Sequence, residues 1–476
     1  MTTLKNNIIR DIVGWLFNDE DDPISASKYV FKYQFNQNLS VYILFLGIVA
    51  FFLLPSDAIS NTNIFNISIP EPSHLWYGIE NRGLALSYIH LVELFFAFLI
   101  VWFFIKKSIV GQIDFKVDSI LIVGIAFYAL SMFSLIVSYH STHQYILDRF
   151  PLDGLINWGK AFAIYFLLLQ ILDKQSISQL FKVLIYVSTI LAIISIIAFF
   201  IFGYFIFQER FIGWRVNVLG MGVNTGGIFL SSIAILSYIL SKNCRIYRLY
   251  FVIQTLGVLL TGSRAAILAL LFSIIIYHIL FSGAIRPKYF PRVILFSVVL
   301  AMLTILFMFT NIISWLGDVT GFTIFSRLSS FSNITNDQSS LGRLLIWYNY
   351  IQIYSESLLF GIGNSDWLIE IISRNYNYPH SVPHSHNFFL QTLIKGGIVA
   401  TLPILVVFIY NYRNALTSVK NSIHHTASLS IMPLLIFGLM DYGFWNQKIV
   451  YLFTILLFCM CYHNKANSIY VFKIPN

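Results

Sequence analysis

Charge is what this chain has least of: 11% of its 476 residues are Asp, Glu, Lys or Arg, against 57% hydrophobic, with a mean hydropathy of +0.75. Soluble globular domains carry about a quarter charged residues, so that class is excluded and the bilayer is the expected solvent. Cysteine is also scarce. Cys244, Cys459 and Cys461 fall in a link assigned to the cytoplasm or near the end of the last apolar run, which excludes a disulfide scaffold and a thiolate metal cluster. No leader-like start is present either: Asp19, Glu20, Asp21 and Asp22 stand ahead of the first apolar run, so that run is expected to be retained. Nor is there a closely spaced carboxylate pair on the outer side. Asp318, Asp337, Asp366 and Asp441 are scattered, which argues against metal-dependent transfer chemistry built on such a pair.

What the chain does contain is apolar runs. In hydrocarbon every backbone N–H and C=O must be satisfied within the chain, so runs of about 20 apolar residues are read as helices. Spans are expected at 39–57, 84–105, 117–138, 156–173, 181–203, 219–241, 249–262, 265–282, 293–316, 387–411, 426–444 and 448–464. With the N-terminus in the cytoplasm, the basic links (Lys106, Lys107 and Lys116; Lys242, Arg245 and Arg248; Arg286, Lys288 and Arg292; Arg413 and Lys420) all fall inside. The net charge of +9 therefore reflects membrane orientation, and no nucleic-acid partner is read from it. In this topology the inner basic residues are 13 Lys and 6 Arg, and the outer ones 3 Lys and 8 Arg. Arg binds phosphate oxygens through a planar fork, so an outer Arg set suggests a phosphate ligand, with chance usage as the plain alternative.

The longest polar stretch runs from about 317 to 386, too long for an idle connection. Within it, Ser339 and Ser340 precede an apolar run from Leu341 to Phe360 carrying Trp347, Tyr348 and Tyr350, a pattern that predicts a capped interfacial helix. Arg343 falls in its first turn, where it either helps bind an anion or snorkels to headgroups.

Three further segments hold groups with chemistry. Arg264, in Thr261-Gly262-Ser263-Arg264, lies between apolar runs of about 13 and 18 residues, both short for a full crossing. A charge recessed into the outer leaflet is costly unless it faces a cavity or an anionic ligand, or snorkels outward. Arg210 and Arg215, in Glu209-Arg210-Phe211-Ile212-Gly213-Trp214-Arg215, mark another outer boundary, with Asn217 and Asn224 after them. Their readings are a donor set for sugar or phosphate, or a structural Glu–Arg pair. His380, His384 and His386 precede Asn387 and the tenth apolar run. Histidine is suited to taking a proton near neutral pH. A zinc site lacks completing ligands, and plain polar interface residues are the third reading.

In order along the chain, four signatures carry a resemblance. They are Arg210-Phe-Ile-Gly213 followed by Asn224; Thr261-Gly-Ser-Arg264; Gly342-Arg343-Leu-Leu-Ile-Trp347 leading to Leu359-Phe-Gly361-Ile-Gly363; and His386-Asn387-Phe-Phe-Leu390 before Gly396-Gly397. Over about 205 to 410 the sequence resembles the O-antigen ligase and polymerase superfamily of bacterial polysaccharide enzymes. One departure is Ser357, where many relatives have Pro.

The resemblance implies a metal-independent, cofactor-free, inverting glycosyltransferase of the bacterial inner membrane, working on the periplasmic face. The donor would be an undecaprenyl-diphosphate-linked oligosaccharide. The acceptor would be a second lipid-linked glycan for a polymerase, lipid A-core for a ligase, or a protein for a glycosylating transferase. The Phe- and Ile-rich spans and the His-Asn-Phe-Phe-Leu form favour the polymerase, and a chain-length regulator is a further candidate partner. Arg264 and His386 are the expected catalytic residues. Arg210, Arg215 and Arg343 would hold the diphosphate, with His384 and Asn387 auxiliary or acceptor-binding. A flippase or transporter should show two comparable halves, and no internal repeat is found.

The expected fold is thus all-α and polytopic, with about 12 transmembrane helices and a large periplasmic loop between helices 9 and 10. Its expected parts are 1–38, a cytoplasmic segment; 39–316, helices 1–9; 317–386, the periplasmic loop with an interfacial helix; 387–464, helices 10–12; and 465–476, a cytoplasmic tail.

Overall fold

The computed structural model describes residues 35–53, 95–105, 113–141, 149–200, 218, 221–278, 338–355, 358–361, 385–417, 422–441, 443–462 and 470–474. Before the long polar stretch these form α1 (Phe35–Leu53), α2 (Phe95–Ile105), β1 (Ile113–Val117), α3 (Ser119–Ser141), α4 (Arg149–Ile171), α5 (Lys174–Ala198), α6 (Val223–Leu240), α7 (Ile246–Thr261) and α8 (Arg264–Ile276). Within and after it come α9 (Gln338–Tyr354), α10 (Phe388–Thr417), α11 (Ile423–Gly438), a 3₁₀ turn (Gly443–Trp445), α12 (Gln447–Cys461) and β2 (Tyr470–Ile474).

Two parts of the expected fold are corrected. Among the described residues three helices are long and apolar enough to cross a membrane, Gln175–Ile197, Val223–Leu240 and Phe388–Asn411, where about twelve were expected. They make this a membrane protein. In the other helices the described apolar segment has 10–17 residues, and at a rise of 1.5 Å per residue such a segment falls short of a hydrocarbon core about 30 Å thick. Apolar composition sums over a run and does not register where the helix within it stops. The expected run 293–316 lies outside the described residues. The all-α expectation is also corrected, because β1 pairs antiparallel with β2, Ile113 opposite Ile474 and Val117 opposite Tyr470.

At the centre stands α6, with 15 of its 18 residues buried, packed against α5, α7, α8 and α11. Small residues let neighbours close on it: a Cβ on Gly227 would lie 2.9 Å from Ala266 Cβ and 2.9 Å from Thr261 Oγ1. One polar network pins three helices. The fully buried Gln254 of α7 accepts from Ser237 Oγ of α6 (2.8 Å) and donates to Thr189 Oγ1 of α5 (3.0 Å). Polar side chains bonded across helices fix register where apolar packing alone allows sliding.

Capping chemistry sets the ends. Asp118 starts α3 by accepting from Leu121 N (2.8 Å) and also takes Tyr165 OH of α4 (2.7 Å). At the start of α12 the buried Lys448 reaches the end of α1, donating to Phe52 O at 3.2 Å, where helix carbonyls need donors.

In α10 the chain folds back, so Phe388–Asn411, long and apolar enough by length and composition, does not cross as one straight helix. Gly397 has φ 65° and ψ −168°, a combination essentially reserved to glycine. The rings of Phe389 and Phe408 lie 4.7 Å apart, whereas a straight helix would set residues nineteen apart about 28 Å from each other. The turn at Leu358–Gly361 fills the break: Ile398 N donates to Leu358 O (3.0 Å) and Val399 N to Leu359 O (3.2 Å). Both glycines are required by contact as well as by angle. A Cβ on Gly361, at φ 67°, would sit 2.2 Å from Ile394 O, and one on Gly397 would sit 2.1 Å from Leu359 O.

Candidate active site

Several helix ends meet around His386. It precedes α10 with φ 51°, a left-handed backbone that costs a non-glycine residue about 1–3 kcal/mol unless neighbours hold it. The neighbours are polar and specific. Ser385 N donates to Gln391 Oε1 (2.8 Å), and Ser385 O accepts from Trp347 Nε1 of α9 (2.7 Å). Gln391 Oε1 also accepts from Tyr350 OH at 3.3 Å. On the other flank Asn387 caps α10 by accepting from Leu390 N (3.0 Å) and donates to Leu439 O (3.1 Å) just past α11.

The imidazole Nδ1 of His386 lies 2.9 Å from Asp441 Oδ1, with side-chain exposures of 21% and 7%. The other carboxylate oxygen accepts from Asn224 Nδ2 of α6 at 2.8 Å. An ionised carboxylate only accepts, so Nδ1 carries the hydrogen and Nε2 is left with its lone pair. Asn224, Asp441 and His386 thus form a line of side chains in which the carboxylate fixes the tautomer of the histidine.

Arg264 opens α8 one residue after a double cap. Gly262 ends α7 in the left-handed region at φ 61°, and Ser263 Oγ accepts from Ala266 N at 3.4 Å. Gly227, one turn beyond Asn224, packs against Thr261, Ser263 and Ala266, so this break adjoins the end of α6 that holds Asn224. Arg264 is partly buried. Arg343 lies one turn before Trp347 on α9, and its buried Nε has no hydrogen-bond partner among the described residues. Arg210, Arg215 and His384 lie outside the described residues.

A wholly apolar cleft opens between α3, α4, α10 and α12. Trp158, Phe127, Phe388, Phe408, Phe444 and Phe453 are among its walls. Phe388 follows His386 by two residues and Phe444 follows Asp441 by three, so the cleft adjoins the polar line, and their rings are 4.3 Å apart. Among the described residues no three His, Cys, Asp or Glu side chains gather where they could hold a metal ion.

Sequence reasoning singled out His386, Arg264, Asn387 and Arg343 but set Asp441 aside as one of four scattered acids, and read Asn224 as part of a donor set after Arg210 and Arg215 rather than as a partner of Asp441. Their contact joins residues 217 positions apart, and no local pattern announces it. A usable signal was that Asp441 is an acid inside an apolar run, which is costly without a partner.

No curated protein matches the sequence. Residues 249–405 match the family model described as O-Antigen ligase, a span that includes Arg264, Arg343, His386 and the broken helix at Gly397, but neither Asn224 nor Asp441. On that match the chain carries a domain of the O-antigen ligase and polymerase superfamily.

Proposed function

We propose that this chain is a glycosyltransferase of the inner membrane that moves a glycan from a polyprenyl-diphosphate donor to an acceptor hydroxyl on the periplasmic face. The observation that carries the reading is the His386–Asp441 contact at the rim of an apolar cleft, within and beside the matched segment. His386 Nε2 takes the proton of the acceptor hydroxyl as its oxygen attacks the anomeric carbon from the face opposite the diphosphate. The C1–O bond then breaks, and its electron pair leaves on the diphosphate. Asp441 stabilises the imidazolium that results, as a buried carboxylate does for a histidine base. Arg264, with Arg343 and Arg210, stabilises the negative charge gathering on the leaving group, so no metal is needed. The apolar cleft beside the polar line suits the hydrocarbon end of the donor.

The family description favours lipid A-core as acceptor, and therefore a ligase, over the polymerase favoured by the Phe- and Ile-rich spans. Deleting the gene and running surface glycans on a gel separates the two. A ligase deletion leaves bare core with lipid-linked chains accumulating, and that is the expected result. A single repeat on the core would instead show a polymerase, and donor trapped inside the cell would overturn both.

A further inference from the structure

We infer that Trp347 and Gln391 are positioning residues that hold His386 against Asp441 by gripping the peptide before it. The inference rests on the transferase reading for its kinetic consequences, but its geometry stands apart from that reading. The φ angle of His386 is a rotation measured from the plane of the Ser385–His386 peptide. The carbonyl of that peptide accepts from Trp347 Nε1 at 2.7 Å, and the N–H on the other side of Ser385 is held by Gln391 Oε1 at 2.8 Å. Ser385 is fully buried, so water does not replace either partner. With both groups held, the left-handed angle at His386 persists and its imidazole stays within 2.9 Å of Asp441.

Release of either group lets the peptide turn and the φ angle relax toward the ordinary region, carrying the ring off its carboxylate. Trp347 belongs to α9, within the long polar stretch, and Gln391 to the first turn of α10. The grip therefore makes the geometry of the base depend on the docking of α9. Tyr350, one turn on from Trp347 and fully buried, supports it by donating to the same Gln391 oxygen at 3.3 Å.

Two substitutions test the assignment. W347F keeps the ring and removes the N–H, and Q391M keeps chain length and removes the acceptor. Each is expected to lower kcat by roughly tenfold, the scale of one lost hydrogen bond, with the KM values for donor and acceptor within twofold of wild type. In a D441N background W347F is expected to add less than threefold, because the contact it protects is already impaired. Full additivity with D441N, or a change confined to KM, would overturn the role. Hydrogen exchange of the peptide spanning 385–391, followed by mass spectrometry, reads the grip without any assay of activity. Exchange should quicken in both variants, and unchanged exchange overturns the grip. Wild-type protein that transfers no glycan would sink the transferase reading while leaving the exchange result to decide this one.

Discussion

At the residue scale the proposed chemistry rests on a histidine whose two ring nitrogens are made different by a buried carboxylate. His386→Ala and Arg264→Ala are each expected to abolish product while the protein still inserts, measured by surface glycan gels beside membrane fractionation. Normal glycan in either variant removes that residue from the site. Asp441→Asn keeps the shape but not the charge that stabilises the imidazolium, so transfer should fall by roughly 10²- to 10⁴-fold. A fall below fivefold would mean that Asp441 only packs. His386 and Arg264 can be singled out as candidates from sequence because the features that mark them are local: a histidine cluster before an apolar run, and a cation between two runs too short to cross. Asp441 and Asn224 were not, because the acid's partners come from α6 and from the turn before α10, and only the packed fold brings them together.

At the scale of single elements, local chemistry and tertiary contact divide the outcome differently. The break between α7 and α8 could be read directly, since Gly262 supplies the left-handed end and Ser263 the next cap. The sharper break in α10 could not. Gly396-Gly397 signals flexibility, but the bend is held by carbonyls from Leu358 and Leu359 that no local pattern assigns. Gly397→Ala should therefore destabilise the fold by at least about 3 kcal/mol through positive φ and backbone overlap. Thermal unfolding in detergent would show this as a large drop in Tm. A near-wild-type Tm would mean that α10 does not bend there.

At the scale of the whole molecule, membrane residence followed from composition, while the number of crossings did not, because apolar content does not report helix length. Nor did any periodicity foreshadow the pairing of 113–117 with 470–474, which joins the stretch before α3 to the far end of the chain. The pair is anchored from the side: Gln170 of α4 bonds both backbone groups of Lys116, accepting from its N (3.0 Å) and donating to its O (2.7 Å). Cysteines placed at the facing positions Phe115 and Phe472 should cross-link under mild oxidation, as directly opposed strand residues can. Cross-linking at Phe115 with a position two residues away instead would show a different register.

The fold-back of α10 changes how depth is to be read along this part of the chain. A continuous helix would carry each successive residue farther from the aqueous boundary, so labelling with a water-borne reagent would fade steadily from 386 to 411. Here residues 389 and 408 share one level, and depth reverses at 397. Labelling of single cysteines should trace two limbs that mirror each other about Gly397, so two positions far apart in number would report the same environment.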